Sequence, residues 1–161
     1  MKTLLAIVAL VFLIPGVPAY AEEKEPLAVI ELGSATAWDL GGGGSFGPSA
    51  SVEFQAAKNI SMEAGLSPLF NNQGRAEWDF DLVVHRQFDL TEPVEFEPGI
   101  GPTWASSGQF GATASFEFMI WPWKDRKFGW FVDPSYSVSF SGGHQQSLGL
   151  TVGLLIAVPG N

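Results

Sequence analysis

Carboxylates dominate the residues of this chain that could do chemistry. After residue 27, most of them fall at odd-numbered positions in short segments where apolar and polar side chains alternate. Because alternate side chains of a strand point to opposite faces, we expect them to share one face. The main group is Glu31, Glu53, Glu63, His85, Glu95, Glu97, Glu117 and Asp133, and Glu77, Asp79 and Asp81 continue the same face. No Lys or Arg occupies that face within the segments.

Three kinds of chemistry are open to such a face. Carboxylates that are buried without positive partners cannot all stay ionised. They can be protonated, or hydrogen-bonded to Ser, Thr and water, in a closed interior. They can line a hydrated path for cations. They can also form a divalent metal site in which His85 joins the oxygen ligands. The sequence predicts cation binding, and no cofactor is predicted apart from such a divalent cation.

The elements that must carry these acids are short alternating segments. In the last one, residues 148–158, large apolar side chains take the even positions, and the odd positions are mostly Gly, Thr and Ala. The same parity recurs in seven earlier segments of roughly 10–13 residues, the length of a tilted membrane strand. All the linkers are short, which favours antiparallel neighbours. They span residues 39–45, 57–59, 71–75, 89–93, 105–109, 122–127 and 141–146. The sequence therefore predicts an all-β fold, an eight-stranded antiparallel up-and-down β-barrel.

Alternation alone does not say which face of the barrel is outside. A soluble periplasmic calyx of the lipocalin type would turn the apolar face inward and bind an apolar ligand there. Eight strands enclose little more than their own side chains, however, and the apolar face carries too many Phe and Trp for that space. We therefore predict that the apolar face is outside and the small and polar face inside. Aromatic residues flanking the turn at 124–127 are expected to form an interfacial girdle, namely Trp121, Trp123, Phe128 and Trp130.

The first residues predict export. A cationic start is followed by the apolar run 4–14 and by Ala19-Tyr20-Ala21, a small-x-small site. We expect residues 1–21 to be a cleaved signal peptide, 22–26 a short polar segment and 27–161 a single β-barrel domain. The chain has no Cys and a formal net charge of −9. Such acidity argues against nucleic-acid binding, which needs a basic surface.

The alternating strands and the glycine-rich final strand resemble small outer-membrane β-barrel proteins of Gram-negative bacteria, of the kind typified by the transmembrane domain of outer-membrane protein A. Segments 95–102, 128–136 and 143–149 are similar to uncharacterised bacterial barrel proteins of this type. The resemblance covers nearly all of the mature chain. It implies an outer-membrane location and lipids as partners, in a structural, binding or narrow-pore role, and it implies no activity.

A lipid-modifying enzyme is the alternative from another class. It would need a nucleophile, a base and an orienting acid, and the candidates are His144 with Ser147, or His85 with an inward Ser and Glu. Lipid A deacylases carry His-x-Ser-Asn on a strand, whereas this chain has His144-Gln-Gln-Ser147 at a predicted turn. The sequence therefore favours a role without catalysis. The predicted outer loops are short, so no large protein partner is expected.

Overall fold

The computed structural model describes residues 26–141 and 145–160. The predicted signal peptide, residues 1–21, and the polar segment up to residue 25 lie outside the described residues. No helix in the described part is long and apolar enough to cross a membrane. The strands are β1 (Ala28–Asp39), β2 (Gly44–Ala57), β3 (Ile60–Asn71), β4 (Ala76–Arg86), β5 (Phe88–Thr91), β6 (Val94–Ala105), β7 (Phe110–Ile120), β8 (Phe128–Ser139) and β9 (Gln146–Val158).

The strands close into a barrel. They follow the order β4-β3-β2-β1-β9-β8-β7-β6-β5, and a further β4–β6 pairing joins the two edges. All the pairings are antiparallel, and the first and last strands meet in the register Ala28↔Val158. Strands β4 and β5 are one strand interrupted at Gln87, so the barrel has eight strands, as predicted. The fourth hairpin turn is tighter than the predicted linker 89–93, because the strand continues to Thr91.

The large apolar side chains of the strands point outward. Exposed examples lie at even-numbered positions along the whole barrel, among them Leu32, Phe54, Phe80, Trp130 and Leu154. The buried Glu, His, Ser and Thr side chains all lie at odd-numbered positions. The predicted orientation, apolar outside and small or polar inside, is confirmed. The alternative arrangement of a calyx, with the large apolar face turned inward, is wrong, since those side chains are exposed on the outside of the barrel.

Glycines on the inward face make room for larger inward side chains across the ladder. His85 pairs with Gly99, where an added Cβ would lie 2.9 Å from the imidazole Cγ. Phe131 lies beside Gly153 in the same way, with its ring 2.6 Å from the position of an added Cβ. A small barrel can therefore hold a large inward side chain where the adjacent strand supplies no side chain at all.

The prolines inside the strands coincide with gaps in the hydrogen-bonded ladders. Pro48 of β2 and Pro68 of β3 lie in a gap of the β2–β3 ladder, between the pairs Phe46↔Phe70 and Ala50↔Leu66, while each keeps a Cα partner on its other side. The β7–β8 ladder has a similar gap next to Pro134. Proline cannot donate to a ladder, so it is accommodated where pairing is interrupted.

One end of the lumen is filled by apolar side chains. We call it the terminal end, because β1 begins and β9 finishes there. Trp121 belongs to this filling, so its predicted place in an outer aromatic girdle is wrong, whereas Trp123, Phe128 and Trp130 are exposed. The parity explains the difference, because Trp121 continues the inward face of β7. The filling, called the apolar plug below, consists of Val29, Met119, Trp121, Phe131 and Leu155, with Ala157 packed against it.

Candidate functional site

The lumen beyond the plug is a wide acidic cavity. Its volume is about 850 Å³, and it extends to the loops at the end opposite the chain termini. Among the described residues that line it, Arg75 is the one basic side chain, and many others are Ser or Thr. We call this cavity the acidic cup. Its seven acidic residues are Glu31, Asp39, Glu63, Glu77, Asp79, Asp81 and Asp133.

A second, much smaller cavity lies at the terminal end. Its volume is about 40 Å³, which leaves room for a few water molecules at most. Glu53, Glu95 and Glu97 line it, together with plug residues. Six of the predicted site residues form one layer across the lumen. Some line the floor of the cup, some line the small cavity, and the others are buried between the two cavities. This group, called the buried acidic layer below, is Glu31, Glu53, Glu63, His85, Glu97 and Glu117.

His85 is the one ring in the acidic layer, and its orientation is fixed. Its Nδ1 lies 3.1 Å from the backbone carbonyl oxygen of Glu97. A carbonyl only accepts, so Nδ1 carries the proton of this hydrogen bond and Nε2 faces the carboxylates. Nε2 lies 3.0 Å from Oε2 of Glu63, a contact that is an ion pair when the ring is protonated. The side chain is completely buried.

The carboxylates of the layer are incompletely satisfied. Ser51 Oγ donates to Glu31 at 2.7 Å, and Ser61 Oγ donates to Glu97 at 3.3 Å. Within the part of the chain that the structure describes, one oxygen of Glu31 and one of Glu117 are buried without a hydrogen-bond partner. Unpaired buried acceptors are uncommon in folded proteins, because each loses its water without replacement.

Two groups in the layer have the spacing of metal ligands. One oxygen or nitrogen atom from each member of a group lies within 4.8 Å of the others. Glu117 is common to both groups and is almost fully buried. Oxygen and imidazole donors at this spacing can surround one divalent cation. The groups are Glu63 with His85 and Glu117, and Glu31 with Glu53 and Glu117.

Glu95 is held apart from the layer by its own partners. Trp121 Nε1–H donates to its Oε2 at 2.8 Å, and Arg126 donates to its other oxygen. The sequence places no basic residue on the inward face of the strands. Arg126 is consistent with this, because it reaches Glu95 from the loop between β7 and β8. Strand parity could not reveal this arginine, because the side chains of loop residues follow no alternation.

Asp133 also has a separate environment. Its Oδ1 accepts from Ser115 Oγ at 2.7 Å and from the backbone N–H of Phe116 at 3.2 Å. It belongs to neither group of metal-ligand spacing. The predicted cluster is therefore divided into a layer of six residues, a paired Glu95 and a hydrogen-bonded Asp133.

No geometry favours catalysis by the candidate residues that the structure describes. His144 lies outside the described residues. Ser61 pairs with His85 across the β3–β4 ladder, but its hydroxyl donates to Glu97. Ser61 and His85 are both buried, and a nucleophile must be open to its substrate.

Comparisons with known proteins bear on the fold. No family model and no curated protein sequence matches this chain. Neisserial surface protein A is similar in structure, with a TM-score of 0.61 and 12% identity over 81% of this chain and 95% of that one. Ail, the attachment invasion locus protein of Yersinia pestis, has a TM-score of 0.58 and 11% identity over 82% of this chain and 98% of that one. A de novo designed transmembrane β-barrel has a TM-score of 0.60 and 9% identity over 85% of this chain and all of that one. At these identities the likeness concerns the fold, and this chain has the fold of small transmembrane β-barrels.

Proposed function

We propose that this protein is an outer-membrane β-barrel whose lumen is closed at the periplasmic side and open as an acidic cup that binds cations. The observation that carries the proposal is the contrast between the open, acidic half of the lumen and its closed, apolar half. A cavity of about 850 Å³ with seven acidic residues ends on a buried acidic layer and an apolar plug. Such a lumen can take up cations, but the described residues 26–141 and 145–160 leave them no path through the barrel.

The outward face supports the membrane location. Apolar side chains cover it, and exposed aromatic residues collect near both ends, as interfacial girdles do. Near the terminal end these are Phe54, Trp123, Phe128 and Trp130, and near the opposite end Trp38, Phe46, Phe70, Trp78, Trp104, Phe110 and Phe140. A soluble protein rarely exposes an apolar surface of this extent. Lipids are therefore the partners that this surface fits, and the predicted signal peptide and the structural likeness agree with that.

The charge of the cup supports cation binding. Seven acidic residues face one confined space, and the lining includes one arginine, at the rim. A cavity of one charge sign with walls of low dielectric concentrates counter-ions. Ser and Thr hydroxyl groups between the acids can complete the coordination of a hydrated ion.

Fractionation of a Gram-negative host that produces the full chain tests the location. We expect the protein in the outer-membrane fraction, with an electrophoretic mobility that changes on boiling, because closed barrels resist detergent until heated. Recovery in the soluble periplasm would contradict the proposal.

A thermal melt of the protein folded in detergent micelles tests cation binding by the cup. We expect CaCl₂ to raise the Tm above that in NaCl of equal ionic strength, because a ligand that binds only the folded state stabilises it. The double variant Glu77→Gln/Asp79→Asn should lose part of this increase. Glu92→Gln/Asp125→Asn removes the same charge from turns outside the cup and serves as the control. An equal Tm in both salts would contradict cation binding.

A further inference from the structure

We infer that His85, Glu63 and Glu117 form a binding site for one divalent transition metal ion of the zinc type in the floor of the acidic cup. The inference rests on the proposed function, since it names the ion that the closed lumen would hold most tightly. Nε2 of His85 and one carboxylate oxygen each from Glu63 and Glu117 lie within 4.8 Å of one another. Zinc lies about 2.0–2.2 Å from each of its ligands, so side-chain rotations bring the more widely spaced donors together around the ion.

The acids alone would not identify a metal site, but the histidine points to one. The ring is fully buried, its Nδ1–H is bound to the Glu97 carbonyl, and Nε2 faces the carboxylates with Oε2 of Glu63 at 3.0 Å. Histidines that bind metals are typically oriented in this way, with the far nitrogen donating to a backbone carbonyl or carboxylate. Gly99 leaves the space that the ring occupies.

Glu117 supplies the second independent observation. It is almost fully buried on β7, and its Oε1 has no hydrogen-bond partner among the described residues. A carboxylate oxygen in that position loses its water without compensation unless a proton or a cation takes its place. Glu31 and Glu53 each place a carboxylate oxygen within 4.8 Å of one from Glu117. These two acids add negative charge next to Glu117.

The donor set selects the class of metal. Ca²⁺ and Mg²⁺ prefer shells made entirely of oxygen ligands, whereas imidazole nitrogen with carboxylate oxygen suits Zn²⁺ and its neighbours in the first transition series. Three protein ligands leave a fourth position for water. Glu63 lines the acidic cup, so an ion reaches the site from the open end without crossing the plug.

Zinc titration of micelle-folded protein stripped with chelator tests the inference. We expect calorimetry with ZnCl₂ to give one tight site per chain, and CaCl₂ to bind this site at least tenfold more weakly. Cobalt(II) should give the visible absorption bands of a tetrahedral site with nitrogen and oxygen ligands. His85→Gln should abolish those bands, and Glu117→Gln should weaken zinc binding at least tenfold.

Glu77→Gln is the matched control. It makes the same chemical change within the same lumen, at a residue outside both groups of ligand spacing. Because Glu77→Gln removes one charge of the cup but no metal ligand, we expect it to weaken zinc binding severalfold less than Glu117→Gln does. An equal loss of zinc affinity in Glu77→Gln and Glu117→Gln would contradict the site and indicate diffuse attraction by the cup. Absence of zinc binding by the wild-type protein would overturn the inference. Heat-dependent electrophoretic mobility shows which variants fold. If Glu117→Gln does not fold, the cobalt spectrum of His85→Gln tests the site instead.

The zinc test and the tests of the proposed function can fail separately. Zinc binding is measured on protein that is already folded in micelles, so it does not depend on where a host places the chain. A barrel found in the outer membrane without zinc binding would overturn this inference alone. Zinc binding by a protein recovered in the periplasm would overturn the membrane location alone.

Discussion

In the terminal half of the lumen, large side chains meet across the barrel axis, whereas the other half is lined by Ser, Thr and carboxylates around open space. Leu155 and Met119 are almost completely buried in the first half. Asp79 and Glu77 face the cup in the second. The two halves are built on the same eight strands with the same alternation, so the difference comes from the size and polarity of the side chains on the inward face.

This difference shows how one small barrel can separate stability from binding. The packed half gains dispersion and hydrophobic contacts like a protein core. The cup surrounds open space with Ser, Thr and carboxylate groups, although the Ser49 hydroxyl oxygen and one oxygen of Glu77 are buried in its wall. The buried acidic layer lies between them, where the solvent ends and unpaired donors and acceptors remain. Substitutions in the two halves should therefore differ strongly in their effect on the free energy of unfolding.

Leu155→Ala should give the largest loss of stability. Leu155 is fully buried in the plug, and removing it should cost about 2–5 kcal/mol of unfolding free energy, because a cavity is left. Leu154→Ala is the control, with the same change one residue away on the exposed outer face. Lipid or detergent fills that space, so its cost should be about 1 kcal/mol. Urea unfolding in micelles measures both, and equal costs would contradict the division into a plug and an outer face.

Gly153→Ala should follow, with a cost of about 3 kcal/mol from overpacking. Its added Cβ would lie 2.3 Å from the backbone oxygen of Leu32 and 2.6 Å from the Phe131 ring. Gly149→Ala, in the cup, meets chiefly the Ser135 hydroxyl, which can rotate away. We expect it to cost less than about 1 kcal/mol. A reversed order in equilibrium unfolding would show that the cup is the more tightly packed half.

Arg126→Gln should cost about 1–3 kcal/mol, because it leaves the buried Glu95 without its positive partner. The double variant Arg126→Gln/Glu95→Gln should recover much of that loss, since no unpaired charge remains. Unfolding measurements on the two single variants and the double variant give the coupling energy. Additive losses would show that the two side chains do not interact.

Asp79→Asn should have the smallest effect, and in the opposite direction. Removing one negative charge from the cup should stabilise the fold by about 0.5 kcal/mol at low ionic strength, because it relieves repulsion from neighbouring acids. The gain should decrease as NaCl is added. A loss of stability that is independent of salt would contradict the view of the cup as a hydrated, repulsive cluster.

The sequence predicts the barrel well because strand parity is a local property. The alternation from residue 28 to 158 identifies the strands, the inward face and the acids on it. Parity also places Trp121 inside, although its position beside a turn favoured the girdle. The division of the acids into separate environments could not be predicted, since it depends on the stagger between strands and on loop residues. Arg126 reaches Glu95 from a loop, and the β4–β6 register brings His85 to Gly99.

Conductance across a planar lipid bilayer tests the central claim, that the lumen is closed, most directly. We predict no channel openings for the wild-type protein. The double variant Met119→Gly/Leu155→Ala, which removes two plug side chains beside the acidic layer, should give small openings that favour cations over anions. Regular openings of the wild-type barrel would contradict the account, because they would require a continuous aqueous path through the plug.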